Sequence, residues 1–119
     1  MGLIEQRLNE LGITLPEPPR AAANYVPFKI SGKLVFIAGQ LPILNGKFLT
    51  GKVGETINIQ EAKNAAKICC ISIISQLNEA TNYNLDDIKN IIKLSGFVNS
   101  TPDFTEHPEV INGASDLMV

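Results

Sequence analysis

A chain of 119 residues is the size of one domain, and 45% apolar with 18% charged residues lies far from the composition of a disordered segment. The net charge is −2 and the ten Lys and Arg are scattered from Arg7 to Lys93, so no basic footprint for nucleic acid exists. No apolar run approaches the length of a membrane span, and Met1 to Leu11 carries Glu5, Arg7 and Glu10 where a secretory signal would be apolar; the expectation is a cytoplasmic protein.

Ile4, Leu8 and Leu11 recur at helical spacing with charged residues between them, which predicts a short amphipathic helix over 3–11. Leu15-Pro16-Glu17-Pro18-Pro19 then stops it, because three prolines within four residues favour an extended connector over the surface. The expected organisation is one domain over 1–119, with the helix and connector occupying 1–20 and the core 21–119. Tyr25 to Ile30 and Leu34 to Gly39 read as strands joined by a tight Ser31-Gly32 turn. Leu34, Phe36 and Ala38 point to one face of the second strand and Val35, Ile37 and Gly39 to the other. All are apolar or small, so both faces should be covered, one by the chain's own helices and the other by a neighbouring subunit. Asn45-Gly46 signals a second turn, followed by a short strand over Lys47 to Leu49.

Asn58 followed by Glu61 has the form of a capping box, and Ala62, Ala66, Cys69, Ile73, Leu77 and Ala80 follow every three or four residues. They predict a main helix of about 22 residues, ~33 Å long. Its small residues come first, so its first half should approach the sheet closely. Leu85 to Ile88 reads as a connection, and Asn90 to Val98 as a further strand. Thr101-Pro102-Asp103 opens a last helix with Val110, Ala114 and Leu117 in one apolar row, flanked by Ile111 and Met118. That pattern runs to Val119 without a terminating Gly, Asn or Pro, as though the chain were cut inside a helix and its C-terminal strands were missing.

No phosphate loop, metal-spacing cluster, Ser-His-Asp order or dinucleotide fingerprint occurs, so neither metal nor cofactor is implied. Cys69 and Cys70 are adjacent, which strains a bridge between them and reads as a pair of reduced core thiols. His107 precedes Pro108 near a helix start, where a solvent-exposed or capping role is expected. No catalytic residue is identified from these patterns.

Specific residues take the reading further. Asn24-Tyr25-Val26-Pro27 and the run Ser31-Gly32-Lys33-Leu34-Val35-Phe36-Ile37-Ala38-Gly39-Gln40-Leu41-Pro42 closely resemble the N-terminal hairpin of the YjgF/YER057c/UK114 family. Phe97-Val98-Asn99-Ser100 with Asp103-Phe104 is similar to that family's fourth strand and following turn. The N-terminal helix and the helix carrying Cys69-Cys70 resemble its chorismate-mutase-like branch. The resemblance covers about residues 20–119, and the order of elements agrees with it.

It implies an α+β, ferredoxin-like domain in which a mixed sheet is packed by two helices, and a homotrimeric barrel with ligand clefts between subunits. It also implies hydrolytic deamination of reactive 2-imino and enamine acids to 2-keto acids and ammonia, without a cofactor. Tyr25 matches the family's cleft tyrosine and Gly39 the backbone position that passes close to the ligand. Ala38 stands where many members carry serine, and Asn112 aligns with a cleft asparagine on the second helix. Competent members carry an arginine after that helix, whose planar fork grips the substrate carboxylate. The two arginines here, Arg7 and Arg20, both precede the hairpin and do not match it. A non-catalytic trimer binding small carboxylates or a protein partner is the alternative; the family's older label of endoribonuclease or translation inhibitor fits an acidic chain poorly.

Overall fold

The structure is a computed structural model and describes residues 2–18, 20 and 24–119. It holds helix α1 (Leu3–Glu10), hairpin β1 (Phe28–Ser31) and β2 (Leu34–Ile37), hairpin β3 (Ile43–Leu44) and β4 (Lys47–Phe48), helix α2 (Ile59–Ala80), a short 3-10 helix (Leu85–Asp87) and helix α3 (His107–Met118). The expectation of a small α+β fold holds. These elements form two compact units, one of Met1–Gly39 with Ile71–Ile92 and one of Gln40–Cys70 with Lys93–Val119.

In the first unit, α1 ends before any proline is reached. Gly12 takes a left-handed φ of +72°, Ile13 N–H donates to the Leu8 carbonyl at 2.9 Å, and Gly12 N–H donates to Asn9. This pair of hydrogen bonds satisfies carbonyls that a helix end leaves open, and the left-handed turn favours a residue without Cβ. The expected proline stop is therefore corrected: the glycine ends the helix, and the prolines only keep the connector extended. Pro19 lies outside the described residues. The connector is held to α2 through Ser75, whose buried hydroxyl donates to the Pro16 carbonyl.

The other end of α1 is capped from far along the chain. Gly2 offers no side-chain cap, and Asp86 accepts from Leu3 N–H at 2.8 Å and Ile4 N–H at 3.0 Å. These two donors hold the Asp86 carboxyl below its ordinary value of 3.8, with the charge of the nearby N-terminus and Lys89 adding to the effect. Because the folded value is depressed, the attachment contributes stability above 3.8 and loses it as pH falls below that value. The Leu3 and Ile4 amide resonances are expected to titrate together with a midpoint below 3.8, and Asp86→Asn to remove that titration. A midpoint at or above the ordinary value would contradict the cap.

The first hairpin turns one residue later than its sequence predicts. Ser31 pairs with Leu34, so the loop is Gly32-Lys33, with a φ of +58° at Gly32. A positive φ at the first loop position alone is the type II′ arrangement, which matches strand twist. Assigned pairing runs from Phe28↔Ile37 to Ser31↔Leu34, shorter than the predicted strands, although Ala38 N–H still donates to the Pro27 carbonyl at 2.9 Å. Val35 and Ile37 are half-buried on one face. On the other face Leu34 and Phe36 remain 44% and 59% exposed, so described residues of this chain supply only one of the two expected covers.

In the second unit, Asn45 and Gly46 both adopt positive φ, 52° and 79°, and join β3 to β4 in the type I′ turn their pairing predicts. The capping box also forms. Glu61 N–H donates to Asn58 Oδ1 at 2.8 Å, and Asn58 N–H donates to Glu61 Oε1 at 3.1 Å, satisfying two donors at the start of α2. That helix runs for 22 residues, as expected, and closes on Asn82, which adopts a φ of 54° while Tyr83 N–H reaches back to the Asn78 carbonyl.

Beyond its first turns the buried stripe of α2 departs from the predicted one. Cys70, Ile74 and Leu77 are buried, whereas Cys69 and Ile73 are only half-buried. Apolar residues at 68–71 and 73–74 satisfy two overlapping helical stripes, and the packing of the fold chooses between them. The close approach in its first half is to α3 and not to a sheet, and the small residue that permits it belongs to α3: Gly113 passes so near the α2 backbone that a Cβ there would sit 2.1 Å from the Lys63 carbonyl oxygen. Val53, Ala62 and Val110 form the centre of this unit, with Ile57, Ile59, Val98 and Phe104 against it. The predicted row Val110, Ala114 and Leu117 does line the inner side of α3, fully buried at the first two positions and half-buried at the third.

The predicted strand Asn90–Val98 is the main correction. It is assigned no strand, and its only nearby ladder is a parallel bridge in which Val53 N–H donates to Asn99 O and Thr101 N–H donates to Val53 O. Ile92 is 78% exposed and Phe97 fully so. A strand needs a paired neighbour as well as β-branched residues, and among the described residues this segment has none. In place of the expected mixed sheet, the described residues hold two antiparallel hairpins and isolated parallel bridges.

Candidate functional site

A pocket of about 530 Å³ lies at the open end of the hairpin, where the chain enters β1 and leaves β2. Tyr25 and Val26 line it from the entering side, Ala38 and Gly39 from the leaving side, and Phe28, Lys29, Phe36 and Ile37 from the strands themselves. Strand pairing explains the meeting: residues 25 and 39 are distant in sequence, but the register Phe28↔Ile37 folds one back beside the other. It is wide open to solvent, and its walls are apolar with few polar groups, the composition usual for small-molecule sites.

Three residues singled out from the sequence, Tyr25, Ala38 and Gly39, thus line one pocket. Tyr25 is 48% exposed, so its phenol can meet a ligand. Ala38 is half-buried and its N–H is engaged by the Pro27 carbonyl. Gly39 is informative for what it lacks. Its φ is not left-handed, and a Cβ built on it meets nothing within 4 Å, so neither backbone geometry nor internal packing requires glycine. Asn112 is not among the lining residues; it lies in the second unit on α3, where its side-chain oxygen accepts from Ser115 Oγ at 3.2 Å. Lys29, Phe28 and Phe36 were not singled out from the sequence, although the pairing Lys29↔Phe36 puts both on one face as soon as the register is known.

The groups that could support other chemistry are set elsewhere. Burial pushes the Cys70 thiol up to about 11, with the neighbouring Cys69 adding to the shift, and burial raises Cys69 as well. Both stay protonated at neutral pH and are poor nucleophiles, in line with their reading as core thiols. His107 is exposed, as expected, with Nε2 3.0 Å from Ser100 Oγ and its ring edge-on to Phe104. These contacts tie the start of α3 to the preceding loop. Among the described residues no cluster of His, Cys, Asp and Glu could hold a metal ion, and no helix is long and apolar enough to cross a membrane.

Comparison with known proteins agrees with the architecture. Residues 5–119 match the family described as "YjgF/chorismate mutase-like, putative endoribonuclease". Protein TCP17 of Trypanosoma cruzi is 40% identical over 119 residues, which cover 99% of this chain and 74% of that protein. Among solved structures, Atu1372 of Agrobacterium tumefaciens, a protein of unknown function, superposes with a TM-score of 0.87 at 49% identity, over 97% of this chain and 71% of its own. A second, from Shewanella oneidensis MR-1 and described as an endoribonuclease in the same qualified terms, gives a TM-score of 0.91 at 37% identity, over 96% and 76%.

Proposed function

The chain belongs to the YjgF/chorismate mutase-like family, and on that premise we propose that its protein hydrolyses reactive 2-imino acids, and the enamines in equilibrium with them, to 2-keto acids and ammonia. The observation that carries this reading is Gly39, a glycine that the chain's own geometry does not need, placed beside Tyr25 on the wall of an apolar pocket. A ligand occupying the open space beside Gly39 gives that position a purpose.

The reaction asks little of the protein chemically. Water adds its oxygen to the carbon of the C=N bond and a proton goes to the nitrogen. The C–N bond then breaks, ammonia leaves, and the carbonyl of the keto acid remains. An imine is already electrophilic, so neither a protein nucleophile nor a metal is required, and acceleration comes from holding the substrate and a water in register while stabilising charge. Tyr25 donates a hydrogen bond toward the substrate, and Val26, Phe28 and Ile37 form the apolar wall for its side chain. We take the acting form to be a cytoplasmic homotrimer in which the uncovered Leu34 and Phe36 face a second subunit, and Asn112 contributes to the cleft in that assembly.

The test is the hydrolysis of freshly generated 2-iminobutanoate by the protein expressed from its whole reading frame. Accelerated formation of 2-oxobutanoate is the expected result, and a rate equal to the buffer blank sinks the proposal. Binding of 2-oxobutanoate without turnover would instead favour a carboxylate-binding protein. RNA cleavage, named in the description of the family and of the Shewanella structure, is disfavoured by a net charge of −2 with scattered cations.

A further inference from the structure

Among the described residues lining the hairpin pocket one carries a charge, Lys29. Its position follows from strand register. Lys29 pairs with Phe36, so the two project from the same face of the hairpin, while Phe28 and Ile37 occupy the opposite face. The ring of Phe36, on the same face, offers the four-carbon stem of the lysine an apolar neighbour. Among the described residues of this chain no carboxylate pairs with it; the ion pairs there are Arg7 with Glu10 and Lys63 with Glu109. The pocket therefore combines aromatic and aliphatic walls, one phenol and one positive charge. Its complement is a small anion with a short apolar body.

We infer that Lys29 is the anion anchor of this pocket, holding the carboxylate of the ligand through its ammonium and leaving Tyr25 and the open side of Gly39 to the other end of the molecule. The inference rests on the pocket being the ligand site and adds the group that confers its charge selectivity. An ammonium is a point charge with rotatable donors and imposes no plane on its partner, unlike a guanidinium fork. Monocarboxylates with linear and branched tails should consequently bind within a narrow range of affinities, each more tightly than its uncharged ester.

The experiment compares 2-oxobutanoate with its uncharged methyl ester, each titrated into the protein and followed by NMR, for the wild type, Lys29→Gln and Lys29→Arg. Lys29→Gln is expected to weaken 2-oxobutanoate binding about tenfold, the scale of one hydrogen bond to a charged group, and to leave the ester unchanged. Lys29→Arg should retain most of the affinity, and added salt should weaken the wild type more than Lys29→Gln. Unchanged 2-oxobutanoate affinity in Lys29→Gln overturns the role of Lys29 while the pocket still binds its ligand. Equal losses for acid and ester mark a structural effect and also overturn it. Failure of the wild type to bind 2-oxobutanoate at millimolar concentration removes this inference and the pocket's assignment together.

Discussion

Replacing Gly113 by alanine is expected to destabilise the protein by about 2 kcal/mol, the balance of a steric cost of ~3 kcal/mol and a helix-propensity gain of ~1 kcal/mol. On an exposed helix the substitution would stabilise. Here the added Cβ would lie 2.1 Å from the carbonyl oxygen of Lys63 and 2.8 Å from its carbonyl carbon, and both atoms are backbone of a hydrogen-bonded helix, near its start. A side chain could swing away, but a helix can only move as a body, and moving it opens the cluster of Val53, Ala62 and Val110. The unfolding midpoint should fall by roughly 8 °C in a thermal scan, given the ~3–5 °C per kcal/mol expected for a domain of this size. The neighbouring ion pair Lys63–Glu109, 2.9 Å long but partly exposed, cannot compensate, because such pairs contribute at most about 1 kcal/mol. An unchanged or raised midpoint would mean that the two helices do not meet at Gly113.

Gly39→Ala is expected to do the reverse: leave folding intact and remove function. The Cβ meets nothing within 4 Å and the backbone φ suits any residue, so stability should be unchanged or rise by about 0.5 kcal/mol through the stiffer unfolded chain. The same methyl group projects beside a pocket lined by Tyr25, Phe28 and Ile37. If the ligand lies against the Gly39 backbone, the methyl displaces it, and the affinity for 2-oxobutanoate and the rate of 2-iminobutanoate hydrolysis should both fall about tenfold or more. Thermal unfolding and a binding titration on one preparation read the two effects separately. Wild-type affinity in a well-folded Gly39→Ala protein would show that the ligand does not approach this backbone. The pair of glycines thus separates a structural use of the missing side chain from a functional one.

Much of the candidate site was legible in the sequence, and the part that was not has a definite cause. The hairpin itself was legible from its glycine turn and apolar alternation, which are local features, but Tyr25, Ala38 and Gly39 were singled out only through its resemblance to a known family. Lys29 escaped notice because a single lysine in a strand is ordinarily a solvated side chain, and only the register reveals that it borders a pocket rather than open surface. Asn112, on α3 in the second unit, is not among the residues lining the pocket.

Chemistry confined to a few neighbouring residues was determined by the sequence alone. Asn58 and Glu61 are three residues apart and cap each other, Asn45-Gly46 accepts the two positive φ angles of its turn, and the spacing of small and apolar residues gives α2 its full 22 residues. The remaining features depended on partners brought in from a distance. Asp86 caps a helix that begins 83 residues earlier, Gly113 answers to a carbonyl on another helix, and the buried stripe of α2 passes through Cys70 rather than Cys69. The β-branched run at 90–98 shows the same division from the other side. Its composition favours an extended backbone, but a strand forms only when another supplies the facing amides and carbonyls, and that depends on the tertiary arrangement.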